Sequence, residues 1–381
     1  MLSSDLLLWF SGHRRSLPWR EGRTPYSTWI SEAMLQQTRV ATVLDYYPRF
    51  LEAFPDPASL SKAKEERVLK MWEGLGYYSR ARNLQKGAIY LCEKCNGTLP
   101  SSRDELLQVP GIGPYMAGAI SSLAFQKKEP AVDGNAIRIY TRLHALPLPA
   151  TDKATYNEVF SRIEKDMPED APGDFNEALM DLGSLICTPR SPKCSVCPFS
   201  SYCSACLLGK AEDFPVKKPK KAVPVEEHTI LKIYVGKKLL VRKRPDQGLL
   251  AGLYEYISLP GIKTNHEIRT WLSENFGIAT KPSTNSGSIS GSESKSDTVE
   301  PDIRPLGNAH HIFSHLRWEM LGYEILLSSE DPAVKRNLTS CAKKLGTLVT
   351  EKEYETLAFP SALKAYSGFS SQLPAFHRSH S

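Results

Sequence analysis

Apolar residues recur at helical spacing through most of the first half of the chain. Residues 29–54, 64–72, 79–92, 116–125 and 135–146 each place them three or four apart, the period of one buried helix face. Proline and glycine breakers separate these segments, among them Phe54-Pro55-Asp56-Pro57 and Asn96-Gly97, and strand-like alternation is missing. After residue 226 the pattern changes. Residues 228–235 and 238–243 alternate apolar and polar positions as strands do, with Gly236 at the turn between them. Strand character returns at 252–259 and 318–327, and a helix is predicted over 268–276. Residues 281–301 are rich in Ser, Gly and Thr and read as a mobile loop. The expected architecture is a mostly α half over residues 1–210, a basic linker over 211–226, a smaller α+β half over 227–366 and a tail over 367–381.

Composition sharpens this only a little. A chain of 381 residues, 41% hydrophobic and 24% charged, has room for two soluble cores. No stretch approaches a membrane span, so no membrane partner is expected. The short apolar run at residues 6–10 lacks a basic leader and a cleavage site, so it does not read as a secretory signal. The net charge of +6 permits a polyanionic partner without demanding one.

The cysteines say more. Five of the eight, Cys187, Cys194, Cys197, Cys203 and Cys206, crowd together in a chain with no secretory signature. That crowding points to metal ligation in a reducing compartment rather than to disulfides. Cys187, Cys194, Cys197 and Cys203 leave six, two and five residues between them. Four thiolates can hold a [4Fe–4S] cluster, and structural zinc would also accept four. A single CxxC flanked by two outlying cysteines is similar to the cluster loop of endonuclease III-type glycosylases, which implies one [4Fe–4S] cluster and leaves Cys206 as a spare thiol.

Leu106-Leu107-Gln108-Val109-Pro110-Gly111-Ile112-Gly113-Pro114-Tyr115 reads as helix, tight turn, helix. Gly111 and Gly113 would let the backbone approach a phosphate, and the next helix N-terminus offers free N–H groups to it, directly or through a monovalent cation. About twenty residues on comes Val132-Asp133-Gly134-Asn135. Hairpin plus downstream Asp resembles the helix-hairpin-helix-Gly/Pro-Asp glycosylases. Lyase-type members of that superfamily carry a Schiff-base lysine two residues after the second hairpin glycine, and here that position is Tyr115.

Leu17-Pro18-Trp19-Arg20, Ser31-Glu32-Ala33-Met34-Leu35-Gln36-Gln37-Thr38, Gly74-Leu75-Gly76-Tyr77-Tyr78-Ser79-Arg80-Ala81-Arg82-Asn83 and Phe175-Asn176-Glu177-Ala178-Leu179 narrow the match, since all resemble the MutY family. The resemblance covers nearly all of residues 1–210 and implies a monofunctional glycosylase. Its substrate would be double-stranded DNA, with adenine excised opposite 8-oxoguanine or guanine. The chemistry is consistent: breaking an N-glycosidic bond needs an acid for the leaving base and an anion for the charge on the sugar. Glu32, beside apolar helix neighbours, would be kept protonated by burial, and Asp133, just before a helix, would stay anionic with a depressed pKa. By resemblance Glu32 protonates adenine N7, Asp133 stabilises the oxocarbenium ion, and Tyr115 and Asn135 assist. Trp19, Arg20 and Glu177 would surround an adenine drawn out of the stack, while Gln37 and Tyr77 would push into the duplex. Arg80 and Arg82 are candidate phosphate contacts.

The second half resembles a Nudix-like, MutT-like domain, yet its residues 268–277 lack the paired glutamates of a working hydrolase. In the family the Phe-Ser-His triplet, here Phe313, Ser314 and His315, reads 8-oxoguanine. The protein is expected to act as a monomer in the bacterial cytoplasm, associated with the nucleoid. Two rivals stay open: a bifunctional glycosylase/lyase, and a catalytically silent damage-binding protein.

Overall fold

The computed structural model describes residues 2–218, 222–278 and 301–370. Nearly all of the loop expected at 281–301, positions 219–221 of the linker and 371–381 of the tail lie outside the described residues. Two compact units result, Met1–Lys220 and Lys221–Ser381.

The first unit is helical. Its elements are α1 (Leu2–His13), α2 (Pro25–Leu35), α3 (Val40–Ala53), α4 (Pro57–Lys62), α5 (Glu65–Met71) and α6 (Ser79–Lys94), followed by α7 (Arg103–Leu106), α8 (Pro114–Phe125), α9 (Gly134–Leu143), α10 (Lys153–Asp166), α11 (Pro172–Leu185) and α12 (Ser204–Leu207). The apolar run at residues 6–10 buries Leu6, Trp9 and Phe10 of α1 against α9 and α11, where Tyr140, Phe175 and Leu182 complete one core. Residues 29–54 are not one helix, as the periodicity suggested, but two. α2 starts on a Thr24–Ser27 capping box and stops at Leu35; Gln37 then turns into the left-handed region, and α3 resumes at Val40. Periodicity missed the break because both helices bury apolar faces.

The hairpin is tighter than expected, since its first helix is the single turn of α7. Gly111 takes φ +86°, and a Cβ there would press on Asn83. Gly113 is extended and caps α8, so it needs no left-handed freedom. Gly118, one turn further on, has a different role: a Cβ would overlap the Pro130 carbonyl, so its absence lets α8 lie against the chain leading to Asp133.

The second unit is a mixed sheet with helices on it. Strands β1 (Val225–Val235), β2 (Lys238–Lys243), β3 (Tyr254–Glu255), β4 (Ile257–Pro260), β5 (Asp302–Ile312), β6 (Arg317–Leu327) and β7 (Thr347–Val349) form it, with helices α13 (Asn265–Phe276), α14 (Pro332–Leu345) and α15 (Glu351–Thr356). The strand order is β3-β2-β1-β6-β5, with β4 also on β1 and β7 on β2. β1 and β6 run parallel from Val225↔Arg317 to Val235↔Leu327, and the other pairs are antiparallel. Alternation along β1 supplies two cores: Ile230 and Tyr234 face Trp318 and Tyr366, while Leu231, Ile233 and Val235 face the helix residues Ile268, Leu272 and Phe276. β5 left no clear sequence pattern because most of it is exposed and it pairs with β6 alone. No helix among the described residues is long and apolar enough to cross a membrane.

Candidate active site

A cleft of about 580 Å³ opens in the helical unit. Trp19, Arg20, Glu32, Gln37, Tyr115, Asp133, Asn135 and Glu177, far apart in sequence, all line it. α2 supplies Glu32, α8 supplies Tyr115, α11 supplies Glu177, and the start of α9 supplies Asp133 and Asn135.

Glu32 is 4% exposed. Tyr115 donates its hydroxyl to Glu32 Oε2 at 2.6 Å, which leaves Oε1 to carry a proton. Burial, followed by the charges of Glu177 and Asp133, pushes the Glu32 carboxyl up to about 7, although Tyr115 and Arg23 pull the other way. Asp133 caps α9 through the Ala136 N–H at 2.7 Å and accepts the Asn135 amide at 2.7 Å. The depressed pKa expected for this cap is not found. Burial outweighs the Ala136 and Asn135 donors and Arg138, so the carboxyl lies above its ordinary value.

Along one wall of the cleft Arg20 and Glu177 belong to a charge cluster whose other members, Arg14, Arg15, Arg23 and Asp181, sequence reading missed. Glu177 and Asp181 share one face of α11, four residues apart. Glu177 receives Arg14 at 3.2 Å, Arg20 at 3.2 Å and a short contact from Arg23. Asp181 receives both ends of the Arg20 guanidinium at 2.9 and 3.0 Å, and also Arg15. The Glu177-to-Asp181 spacing was the available signal, but it implies nothing until four arginines converge on it.

Two expected duplex-facing residues, Gln37 and Tyr77, share an unusual backbone, with φ +56° and +47°. Side chains other than glycine rarely adopt such angles without enforcement by their surroundings. Arg80 supplies much of it, and so cannot serve as the phosphate contact expected of it. Its guanidinium is buried and donates to the carbonyls of Ala33, Met34, Gln36, Leu75 and Gly76, and it lies under the rings of Trp72 and Tyr77. Both loops are tied to one side chain. Arg82 is half-buried on α6.

The cysteine loop packs on α9. Arg142 donates to Cys187 Sγ at 3.3 Å and to the carbonyls of Thr188 and Pro189, and Arg138 donates to the Cys187 carbonyl at 2.8 Å. Burial first, and then the neighbouring thiols, pushes Cys194 up to about 11 and Cys197 up to about 12. As a donor set Cys187, Cys194, Cys197 and Cys203 suit a four-iron cluster, whose cations would offset the mutual repulsion of neighbouring thiolates. Cys206, on α12, reaches Cys194. Replacing Cys197 by Ser should yield protein with less than one cluster per chain, seen as lost visible absorbance and lost iron, and with a lower melting temperature. Full iron content in that variant would remove Cys197 from the ligand set.

In the second unit the β5–β6 connection closes with the Phe313 N–H donating to the Leu316 carbonyl at 2.8 Å. Phe313 packs edge-on against His311 and Trp318, with ring centroids 4.6 and 5.1 Å apart, while Ser314 and His315 are exposed at the tip.

Comparison with known proteins fits this geometry. Residues 30–165 match the HhH-GPD superfamily of base excision DNA repair proteins, residues 187–203 the iron-sulfur binding domain of endonuclease III, and residues 229–367 the NUDIX domain. The adenine DNA glycosylase of Rattus norvegicus is 31% identical over 94% of this chain and 76% of its own length. That of Buchnera aphidicola subsp. Baizongia pistaciae is 37% identical over 69% of this chain and 74% of its own. Among solved structures, a thermostable thymine-DNA glycosylase superposes with a TM-score of 0.51 at 30% identity, covering 54% of this chain and 95% of that one. With relatives this similar along nearly its whole length, and with an endonuclease III-like helical unit, a [4Fe–4S] loop and a Nudix-like unit, the chain belongs to the MutY family of adenine DNA glycosylases, base excision repair enzymes that hydrolyse an N-glycosidic bond.

Proposed function

We propose that this enzyme is monofunctional and removes adenine opposite 8-oxoguanine, and opposite guanine, in double-stranded DNA. One observation carries the mechanism: Glu32 is a buried acid, capped by Tyr115, in the same cleft as a second carboxyl held by a helix N-terminus. Glu32 donates its proton to N7 of the extruded base, turning adenine into a better leaving group. Asp133, whose carboxyl burial holds above its ordinary value although Ala136, Asn135 and Arg138 favour the anion, faces the positive charge that develops on the deoxyribose. The reaction therefore needs Glu32 protonated and Asp133 ionised. Trp19, Arg20 and Glu177 bound the pocket for the base.

Support for monofunctional action comes from the cleft lining, which includes no lysine among the described residues. Gly113 leaves open space where a Cβ would stand, suiting it to close approach by a phosphate, with or without a monovalent cation. Bound at its four cysteines, the cluster supplies a covalent staple for a segment otherwise built of short turns. A labelled duplex tests the reading: adenine is released, and the strand breaks only after hot alkali. Breaks without alkali would revive the lyase alternative.

Ser314 and His315, at the exposed tip braced by Phe313, are assigned to the base opposite adenine. Changing both to Ala should lower the preference for 8-oxoguanine over guanine by about tenfold, the weight of one or two lost hydrogen bonds, in single-turnover rates on paired duplexes. An unchanged ratio would place recognition elsewhere.

A further inference from the structure

We propose that Asp181 is a positioning residue for adenine release: buried behind the cleft, it grips Arg20 and Arg15 and so keeps their positive charge from settling on Glu32. The inference rests on Glu32 acting as the acid. Asp181 is fully buried and does not line the cleft, so it can act only through its partners. It accepts the Arg15 backbone N–H at 3.2 Å, Arg15 Nε at 2.8 Å, and Arg20 through both terminal nitrogens at 2.9 and 3.0 Å. Arg20 NH1 also donates to the Arg15 carbonyl at 3.0 Å, and its Nε lies 3.2 Å from Glu177. The guanidinium is thereby fixed along its edge, 6% exposed, with the cleft to one side.

Four arginines, Arg14, Arg15, Arg20 and Arg23, here meet two carboxylates, Glu177 and Asp181. The cluster is already cationic, and every further uncompensated positive charge beside Glu32 favours its anion. The charged and titratable groups facing Glu32 are Tyr115 from α8, Asp133 from the start of α9, Glu177 from α11, Arg23 from the strand of chain before α2, and Arg20 from the 3-10 turn Pro18–Arg20. Burial works against the Arg20 charge, yet Asp181, Glu177 and Glu32 together hold it above its ordinary value, so Arg20 and Glu32 already feel each other. Burial opposes ionisation of Asp181 as well, and Arg20 and Arg15 overcome it. Neutralising Asp181 leaves Glu177 and Glu32 as the carboxylates nearest Arg20. Glu32 then surrenders its proton at lower pH, and the acid is lost in the range where the intact enzyme still has it.

The test is the pH profile of single-turnover adenine release by the full-length, cluster-loaded protein, with duplex affinity and melting temperature measured alongside. Asp181→Asn should move the alkaline limb down by about one pH unit, making the variant about tenfold slower at pH 8 but only about twofold slower at pH 6. Asp181→Glu, which keeps the charge, should leave the limb in place. Arg15→Gln, which removes a cation, should move it up, and carries the test alone if Asp181→Asn does not fold. The proposal is overturned if Asp181→Asn slows release by one factor at every pH, or if neither charge change moves the limb. Adenine release by Glu32→Gln at a rate within about tenfold of the parent would instead sink the reading of Glu32 itself, whatever Asp181 does.

Discussion

Glu32→Gln should release adenine at least ~10³-fold more slowly than the unaltered enzyme, while binding the mispaired duplex within about threefold of it. The amide matches the carboxyl in shape and can still accept from Tyr115, so the pocket keeps its form; what it cannot do is deliver a proton to the base. The same assignment sets the pH dependence. A carboxyl raised to about 7 is protonated below that pH and loses its proton above it, so release should fall as the pH rises through about 7. Asp133, needed as an anion and also raised, should set an acid limb above the ordinary Asp value, giving a bell-shaped profile. Single-turnover rates across pH 4–9, with binding followed by fluorescence anisotropy, check all of this. A Gln variant within tenfold of the parent, or one whose alkaline limb persists, would remove Glu32 from the chemistry.

The second large effect is expected at Arg80. Changing it to Ala strips a cation from five carbonyls at the end of α2 and in the 75–76 turn, and frees two left-handed residues to relax. Lost hydrogen bonds to a buried charge should cost about 3 kcal/mol, a fall on the order of 6–12 °C in melting temperature for a unit of this size. Adenine release should drop as well, because Gln37 and Tyr77 lose their shared anchor. Arg80→Lys should recover only part of either loss, since a single ammonium cannot span the acceptors a guanidinium reaches. A melting temperature within about 2 °C of the parent's would show that the two loops hold their shape unaided.

How far the sequence carried depended on what each residue needed. The helical half was legible because its amphipathic period is long and regular, and the cluster loop because cysteine spacing has few other uses. Glu32, Tyr115, Asp133, Asn135 and Glu177 could be placed by resemblance, and they do share one cleft. Arg80 was misread because an arginine in a motif looks the same whether it meets a phosphate or a ring of carbonyls. Asp133 was misjudged because position before a helix is visible in sequence and depth of burial is not. Arg15, Arg23 and Asp181 carry no motif, and their meaning lies wholly in tertiary convergence. β5 escaped because an exposed edge strand has little apolar alternation to show.

α9 begins with Asp133 and Asn135 at the cleft, and Arg138 and Arg142, further along the same rod, hold the cysteine loop. Arg138 even touches both ends, reaching Asn135 Oδ1 at 2.8 Å and the Cys187 carbonyl at 2.8 Å. If Glu32 and Asp133 run the hydrolysis, one helix joins the second of them to the loop that would hold iron and sulfide, so losing the cluster should slow adenine release as well as loosen the loop.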